Sequence, residues 1–489
     1  MANSIAKNLS WTFLSRIGAQ ATQVLFSIFL ARLLTPSEYG AMAMLLVLSG
    51  FAQILGEAGL ASALIYYDKS DKIQLSTAFW IQASINLFFT LLFFFAAPLV
   101  ADFYNNPVLD PLTRLMSINF IIQSVGQIQN AILAKRMDFK AIGITTYVAA
   151  LVSSICAVVL AHLNFGVWAL AWQALSSSIT LLIVYTLYTR WWPSFAFSAD
   201  KAKELVRYGL YLVSHNGLNY WMRNGDNLLI GRFLGATPLG IYNRAYTLML
   251  LPLQNIGAIV GQVMFPTLSK LKDDQQAFRD LYCNSIRLIS FVSFPIMAGL
   301  SLLSKPILLV LYGPQWVEAA PILQILSLVG LFQCIIFPVG WIFASLGKTR
   351  EQFHISLFLT PLFFLLVGGG LRWGIMGVTC GYAMWAVISG VWNILAAGGL
   401  IGLGPLEYLR LVAKKVASTL AMMLVVGLSL RFLLVGSPSL VVVLFNTSLG
   451  AATFVAASFA LRDKELTSTL AMVKSKVAPK LARAQTPTG

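Results

Sequence analysis

A chain of 489 residues that is 58% hydrophobic, only 11% charged and +0.77 in mean hydropathy carries too little charge for a soluble protein of its length. Apolar runs of near 20 residues recur throughout, which excludes a β-barrel with short alternating segments and predicts an all-α polytopic membrane protein. The net charge of +16 falls in loops and inside helices, so no nucleic acid is expected as a partner.

The N-terminus does not read as a cleavable signal, because Arg16 interrupts the apolar region and the run continues to Leu34. It is the first expected span, at 9–34, with Arg16, Gln20, Gln23 and Ser27 on one helical face. The second, at 40–65, places Glu57 in the interior one turn after Gln53. A third follows at 75–100. The fourth, at 112–133, carries Asn119, Gln123, Gln127 and Asn130 on one face, either toward a cavity or for hydrogen bonding between helices. Spans at 141–161 and 165–189 complete a first lobe of residues 1–190, and a polar connector occupies 191–204.

The seventh span, 205–234, contains the most informative stretch of the chain. Asn216, Asn219, Arg223, Asp226 and Asn227 fall within roughly one third of a helix circumference, among apolar and aromatic neighbours. A charge at the bilayer centre costs at least about 2.5–3.5 kcal/mol, so such a stripe marks a pathway or a partner. Arg223 and Asp226 also have the spacing of a structural ion pair. Shifted by two hundred positions, the stripe returns as Arg16, Gln23 and Ser27. The helix exits match too, Ala31-Arg32-Leu33-Leu34 before Gly40 and Gly231-Arg232-Phe233-Leu234 before Gly240, as expected of an internal duplication.

Further spans are expected at 240–268, 281–303, 320–346, 354–371 and 375–400, closing a second lobe of residues 205–400. Two more, at 411–434 and 440–461, precede a basic tail within 401–489, for about fourteen in all. Loop charge orients them: Lys135, Arg136, Lys140, Lys201, Lys270, Lys348 and Lys414 are among the many inner cations. The outer side receives only Arg32, Arg114, Arg232, Lys305, Arg372 and Arg431. Both termini are therefore expected in the cytoplasm. An even six spans per repeat predicts two parallel six-helix lobes around a central cavity, plus two C-terminal helices.

Other patterns carry no chemistry. Gly347-Lys348-Thr349 ends like a phosphate-binding loop, but Ile342 stands where that motif needs glycine. His162, His215 and His354 lack metal-ligand spacing, and the four cysteines form no CxxC, so no metal or cofactor is expected. Gly377 and Gly381 form a GxxxG that predicts close helix packing.

Arg223-Asn224-Gly225-Asp226-Asn227-Leu228-Leu229-Ile230-Gly231-Arg232-Phe233-Leu234-Gly235, followed by Leu239-Gly240-Ile241-Tyr242-Asn243-Arg244-Ala245-Tyr246, resembles the seventh-helix signature of polysaccharide transport flippases. Ala31-Arg32-Leu33-Leu34-Thr35-Pro36-Ser37-Glu38-Tyr39-Gly40 and Leu133-Ala134-Lys135-Arg136-Met137-Asp138-Phe139-Lys140 are similar to other segments of that family. The resemblance implies membership of the multidrug/oligosaccharidyl-lipid/polysaccharide exporter superfamily. It implies a carrier, not an enzyme, for undecaprenyl-pyrophosphate-linked oligosaccharides across the bacterial inner membrane, serving exopolysaccharide, capsule or O-antigen assembly by alternating access. Polysaccharide polymerase and chain-length machinery are the further partners it suggests, besides membrane lipid. A drug/cation antiporter of the same superfamily and a peptidoglycan-precursor lipid flippase are the alternatives. A glycosyltransferase or ligase would need a sizeable soluble loop, which the sequence lacks.

Such cargo assigns roles by chemistry. Arginine offers paired donors to phosphate and stays charged when desolvated, so Arg16 and Arg223 are expected to attract the diphosphate, with Arg244 and Arg287 as weaker candidates. Gln20, Gln23, Asn119, Gln123, Asn216, Asn219 and Asn227 are expected at sugar hydroxyls. Asp226 either tunes Arg223 or binds a coupling ion, and Glu57 is a second such group. Arg32 and Arg232, on a different face near the outer ends, read as interfacial or gate residues.

Overall fold

The computed structural model describes residues 2–57, 59–66, 71–433 and 437–463, the side chains of 2–17, 66, 208–212, 214–216, 218, 219 and 259 excepted. Among the described residues all regular structure is helical. The chain divides into two compact units, one of Met1–Asn243 with Leu311–Gln315, the other of Arg244–Val310 with Trp316–Gly489.

The first unit holds α1 (Ala2–Leu33), α2 (Pro36–Glu57), α3 (Leu60–Tyr66), α4 (Lys72–Phe95), α5 (Ala97–Tyr104), α6 (Leu109–Lys135), α7 (Phe139–His162), α8 (Val167–Thr189), α9 (Ala199–Leu234) and the start of α10 (Ala236–Lys270). The second holds the rest of α10, α11 (Gln275–Leu302), most of α12 (Ser304–Leu311), α13 (Ala319–Ile336), α14 (Val339–Ser345), α15 (Thr349–Gly370), α16 (Gly374–Leu400), α17 (Pro405–Phe432) and α18 (Ser439–Ala460). Aspartates start three of them. Asp71, Asp138 and Asp274 accept from the backbone N–H groups of Gln74, Ala141 and Ala277 at 2.8, 3.1 and 3.0 Å, satisfying donors the first turn leaves open.

This is a multi-pass membrane protein, but the expected fourteen spans are not reached by length and apolarity. Among the described residues nine helical stretches pass that test, or ten if α10, bent by 42°, counts as one span. The shortfall has two sources. One stretch, Thr349–Leu400, is 52 residues long and contains both α15 and α16, while α1, α6 and α9 fall outside the set. Those three carry the polar side chains singled out in the sequence.

The duplication has a structural counterpart at the start of α2 and α10. A Cβ on Gly40 would lie 1.7 Å from the Ala236 carbonyl oxygen, and one on Gly240 would lie 1.9 Å from that of Pro36. Positions two hundred apart thus meet each other backbone to backbone, which only glycine permits. The paired arginines follow the same reciprocity. Arg32 donates from Nε to the Leu311 carbonyl at 3.1 Å, at the end of α12, whereas Arg232 lies over Phe103, near the end of α5, at 5.3 Å.

A hydrogen-bonded ladder joins α6 to its neighbours. Gln123 pairs with Gln53 of α2 and, at 3.4 Å, with Ser178 of α8, while Gln127 pairs with Gln82 of α4 and donates to Glu57 at 3.2 Å. Gln129 donates to Thr186 of α8 at 2.8 Å. Glu57, expected in the interior, is the last residue of α2 and is exposed. The connector lies along the first turns of α4, with Trp80 donating to the Ser194 carbonyl at 2.9 Å and Lys201 bridging to Asp71.

In the second unit Gly377 and Gly381 press against the backbone of α15, where added Cβ atoms would meet the Gly370 and Leu366 carbonyl oxygens at 2.1 and 2.4 Å. Lys415 of α17 forms a 3.0 Å ion pair with Asp463, just past α18, and both side chains are 3% exposed.

Candidate functional site

A membrane unit built from apolar helices has one strong reason to collect amide groups away from lipid: they need water, a partner or a ligand. The first unit collects them around a cavity of about 480 Å³. Three helices contribute consistent faces. Tyr39, Met42, Ala43, Leu46 and Val47 recur at helical spacing on α2, Leu170, Gln173, Ala174 and Ser177 do so on α8, and Asn224 and Asn227 stand one turn apart on α9. Gln23 of α1, Ser153 of α7 and Asn243 of α10 complete the lining. Among the described residues no Lys, Arg, Asp or Glu side chain lines it.

Asn227 is the most constrained member. It is 6% exposed, and its Oδ1 has no hydrogen-bond partner among the described residues. Its backbone N–H donates to Asp226 Oδ1 at 2.8 Å, and the Tyr242 hydroxyl donates to Asp226 Oδ2 at 2.8 Å. Asp226 is itself 1% exposed and therefore fastens α9 to α10 directly behind Asn227. Asn224 donates to the Tyr220 carbonyl at 3.0 Å, which leaves its own oxygen available, and Tyr220 anchors α9 to α2 by donating to the Leu46 and Val47 carbonyls at 3.0 and 2.8 Å.

The structure divides the residues singled out from the sequence. Gln23 and Asn227 line the cavity. Gln20 is half-buried on α1 without lining it, and Gln123 is engaged in the α6 ladder. Asn119 is half-buried, with its Oδ1 buried and unpartnered among the described residues. The side chains of Arg16, Asn216 and Asn219 lie outside the described residues. Arg223 is exposed and forms no ion pair with Asp226, so the i,i+3 pairing allowed by the sequence is not made; Tyr242 and the Asn227 N–H occupy the carboxylate. Arg244 belongs to the second unit, 5.9 Å over Trp316, and Arg287 donates to Asn284 at 2.8 Å.

Gln173, Ser177, Asn224 and Asn243 were missed in the sequence. On α9 the described residues that line the cavity are Asn224 and Asn227. Gln173 and Ser177, spaced i,i+4 in an apolar span, were the available signal. The second unit's cavity, of about 540 Å³, differs in kind, with Tyr408 and Thr419 the only hydroxyl side chains in an otherwise apolar lining.

A model of the family described as polysaccharide biosynthesis protein matches residues 29–321. The lipopolysaccharide biosynthesis protein WzxC of Escherichia coli strain K12 is 29% identical over 367 residues, 74% of each chain. The teichuronic acid biosynthesis protein TuaB of Bacillus subtilis strain 168 is 27% identical over 86% of this chain and 88% of its own. The succinoglycan biosynthesis transport protein ExoT of Rhizobium meliloti strain 1021 is 30% identical over 67% of this chain and 66% of its own. Among solved structures, the lipid II flippase MurJ in an inward closed conformation aligns with a TM-score of 0.76 over 94% of this chain and 99% of its own, at 17% identity. An inward-facing multidrug resistance MATE transporter aligns with a TM-score of 0.61 over 77% of this chain and 95% of its own, at 14% identity. At these identities the two structures speak to the fold alone.

Proposed function

The chain belongs to the polysaccharide biosynthesis protein family, and from that premise we propose that it is a flippase for lipid-linked oligosaccharides destined for a surface polysaccharide. A sugar diphosphate cannot cross hydrocarbon unaided, so its carrier must hold a polar headgroup while the prenyl tail stays in lipid. The observation that carries the reading is the cavity of about 480 Å³ whose polar side chains are amides and hydroxyls. A binding site for drug cations would call for carboxylates in that lining, and none of the described residues supplies one.

In this reading the cargo is an undecaprenyl-pyrophosphate-linked repeat unit and the membrane is the bacterial inner membrane, with both termini in the cytoplasm. Arg16 and Arg223 attract the diphosphate, and Gln23 and Asn227 meet sugar hydroxyls. Polysaccharide polymerase and chain-length machinery act on the delivered units.

The test is deletion of the gene followed by extraction of lipid-linked intermediates. Accumulation of complete repeat units, relieved by the wild-type chain and not by Arg16→Ala or Arg223→Ala proteins that still insert, is the expected result. Absence of any accumulated intermediate overturns the reading. Accumulated peptidoglycan precursor would reassign the cargo.

A further inference from the structure

Resting on the flippase reading, we propose that the first unit's cavity is a subsite for uncharged sugar residues, separate from the diphosphate, in which Gln173, Asn224 and Asn243 determine specificity.

The chemistry of the lining sets the class of ligand. Gln23, Gln173, Asn224, Asn227 and Asn243 each combine a carbonyl acceptor with an NH₂ donor, which matches hydroxyls that both donate and accept. A carboxylate entering the same space would shed its water and meet no cation among the described residues, because none of them that lines the cavity is charged. Besides the amides, Met42, Leu46, Val47 and Leu170 offer apolar surface of the kind that the C–H face of a pyranose covers. Gln173 and Asn243 make no side-chain hydrogen bond among the described residues, so both amides are free for a ligand. Arg223, one residue from Asn224, is exposed and absent from the lining, which keeps anion attraction apart from sugar recognition.

The experiment uses the full-length chain in vesicles and three probes: undecaprenyl pyrophosphate bearing a neutral disaccharide, the same lipid with one uronic acid replacing a neutral sugar, and the lipid without sugar. A membrane-impermeant pyrophosphatase reports headgroups that reach the outer leaflet. The wild-type chain is expected to move the neutral probe roughly tenfold faster than the uronic one. Asn243→Leu, Asn224→Leu and Gln173→Leu are expected to slow the neutral probe more than the sugarless one, and Asn243→Lys to raise the uronic-to-neutral ratio. Equal wild-type rates for neutral and uronic probes overturn the subsite while leaving the flippase reading standing. Movement of none of the three probes overturns both. The wild-type comparison needs no variant, so a misfolded substitution leaves the outcome decided.

Discussion

Replacing Gly40 by Ala tests the crossing of α2 and α10 directly. The new Cβ would lie 1.7 Å from the Ala236 carbonyl oxygen, against roughly 3.3 Å for an ordinary C···O approach, so the backbones must part by about 1.6 Å. The obstacle is backbone and has no rotamer to turn aside. The cost therefore belongs at the upper end of overpacking, about 3 kcal/mol, which corresponds to a fall in melting temperature of roughly 6 °C or more for a unit of this size. Gly240→Ala meets Pro36 at 1.9 Å and carries a similar cost. Because one separation relieves both clashes, the double variant should lose little more than either single one, a coupling of about 3 kcal/mol. Fluorescence-detected size-exclusion melting of the solubilised chain reads all three. A Gly40→Ala protein that melts with the wild type, or a double variant whose losses add, would refute a shared contact between the repeats.

Lys415→Met removes the buried ion pair of the 3%-exposed Asp463 and should cost about 3–5 kcal/mol in the same melting assay, whereas Lys415→Met with Asp463→Leu should recover most of it; equal losses would mean the pair is solvated. Asp226→Asn keeps an acceptor for Tyr242 and should retain transport with its response to an imposed pH gradient intact, while Tyr242→Phe leaves a carboxylate oxygen without its donor and should destabilise more, by about 1.5–3 kcal/mol. Loss of that pH response in Asp226→Asn would make the residue a coupling group. At the connector, the Lys201 hydrogen bond holds the Asp71 carboxyl below its ordinary range. The anchoring is therefore present above the unfolded carboxylate value and lost as pH falls through the lowered one. The pair is exposed, so high salt and Asp71→Asn should each raise protease sensitivity of residues 190–198 at neutral pH; unchanged cleavage in both would remove the pair as an anchor.

The sequence by itself determined the solvent and the plan of the molecule. Apolar runs of spanning length require helices, because hydrocarbon leaves backbone groups no other partner. The two-hundred-residue offset that linked Gly40 to Gly240 proved to join positions in contact. The signature from Arg223 onward led to the family, and Gln23 and Asn227, singled out in the sequence, line the first unit's cavity.

Tertiary structure decided what depends on helix rotation and on neighbours distant in sequence. Periodicity places Arg223, Asp226 and Asn227 on one face of α9, yet Arg223 is exposed, Asp226 is buried against Tyr242 and Asn227 lines the cavity, because α2 and α10 cover different parts of that face. Gln53 and Gln123 looked equally available until α2 and α6 met; then each satisfied the other. Lys415 and Asp463, 48 residues apart, gave no sign of pairing. A single helix fixes which side chains share a direction, but only its packed neighbours fix whether that direction is lipid, water or another polar group.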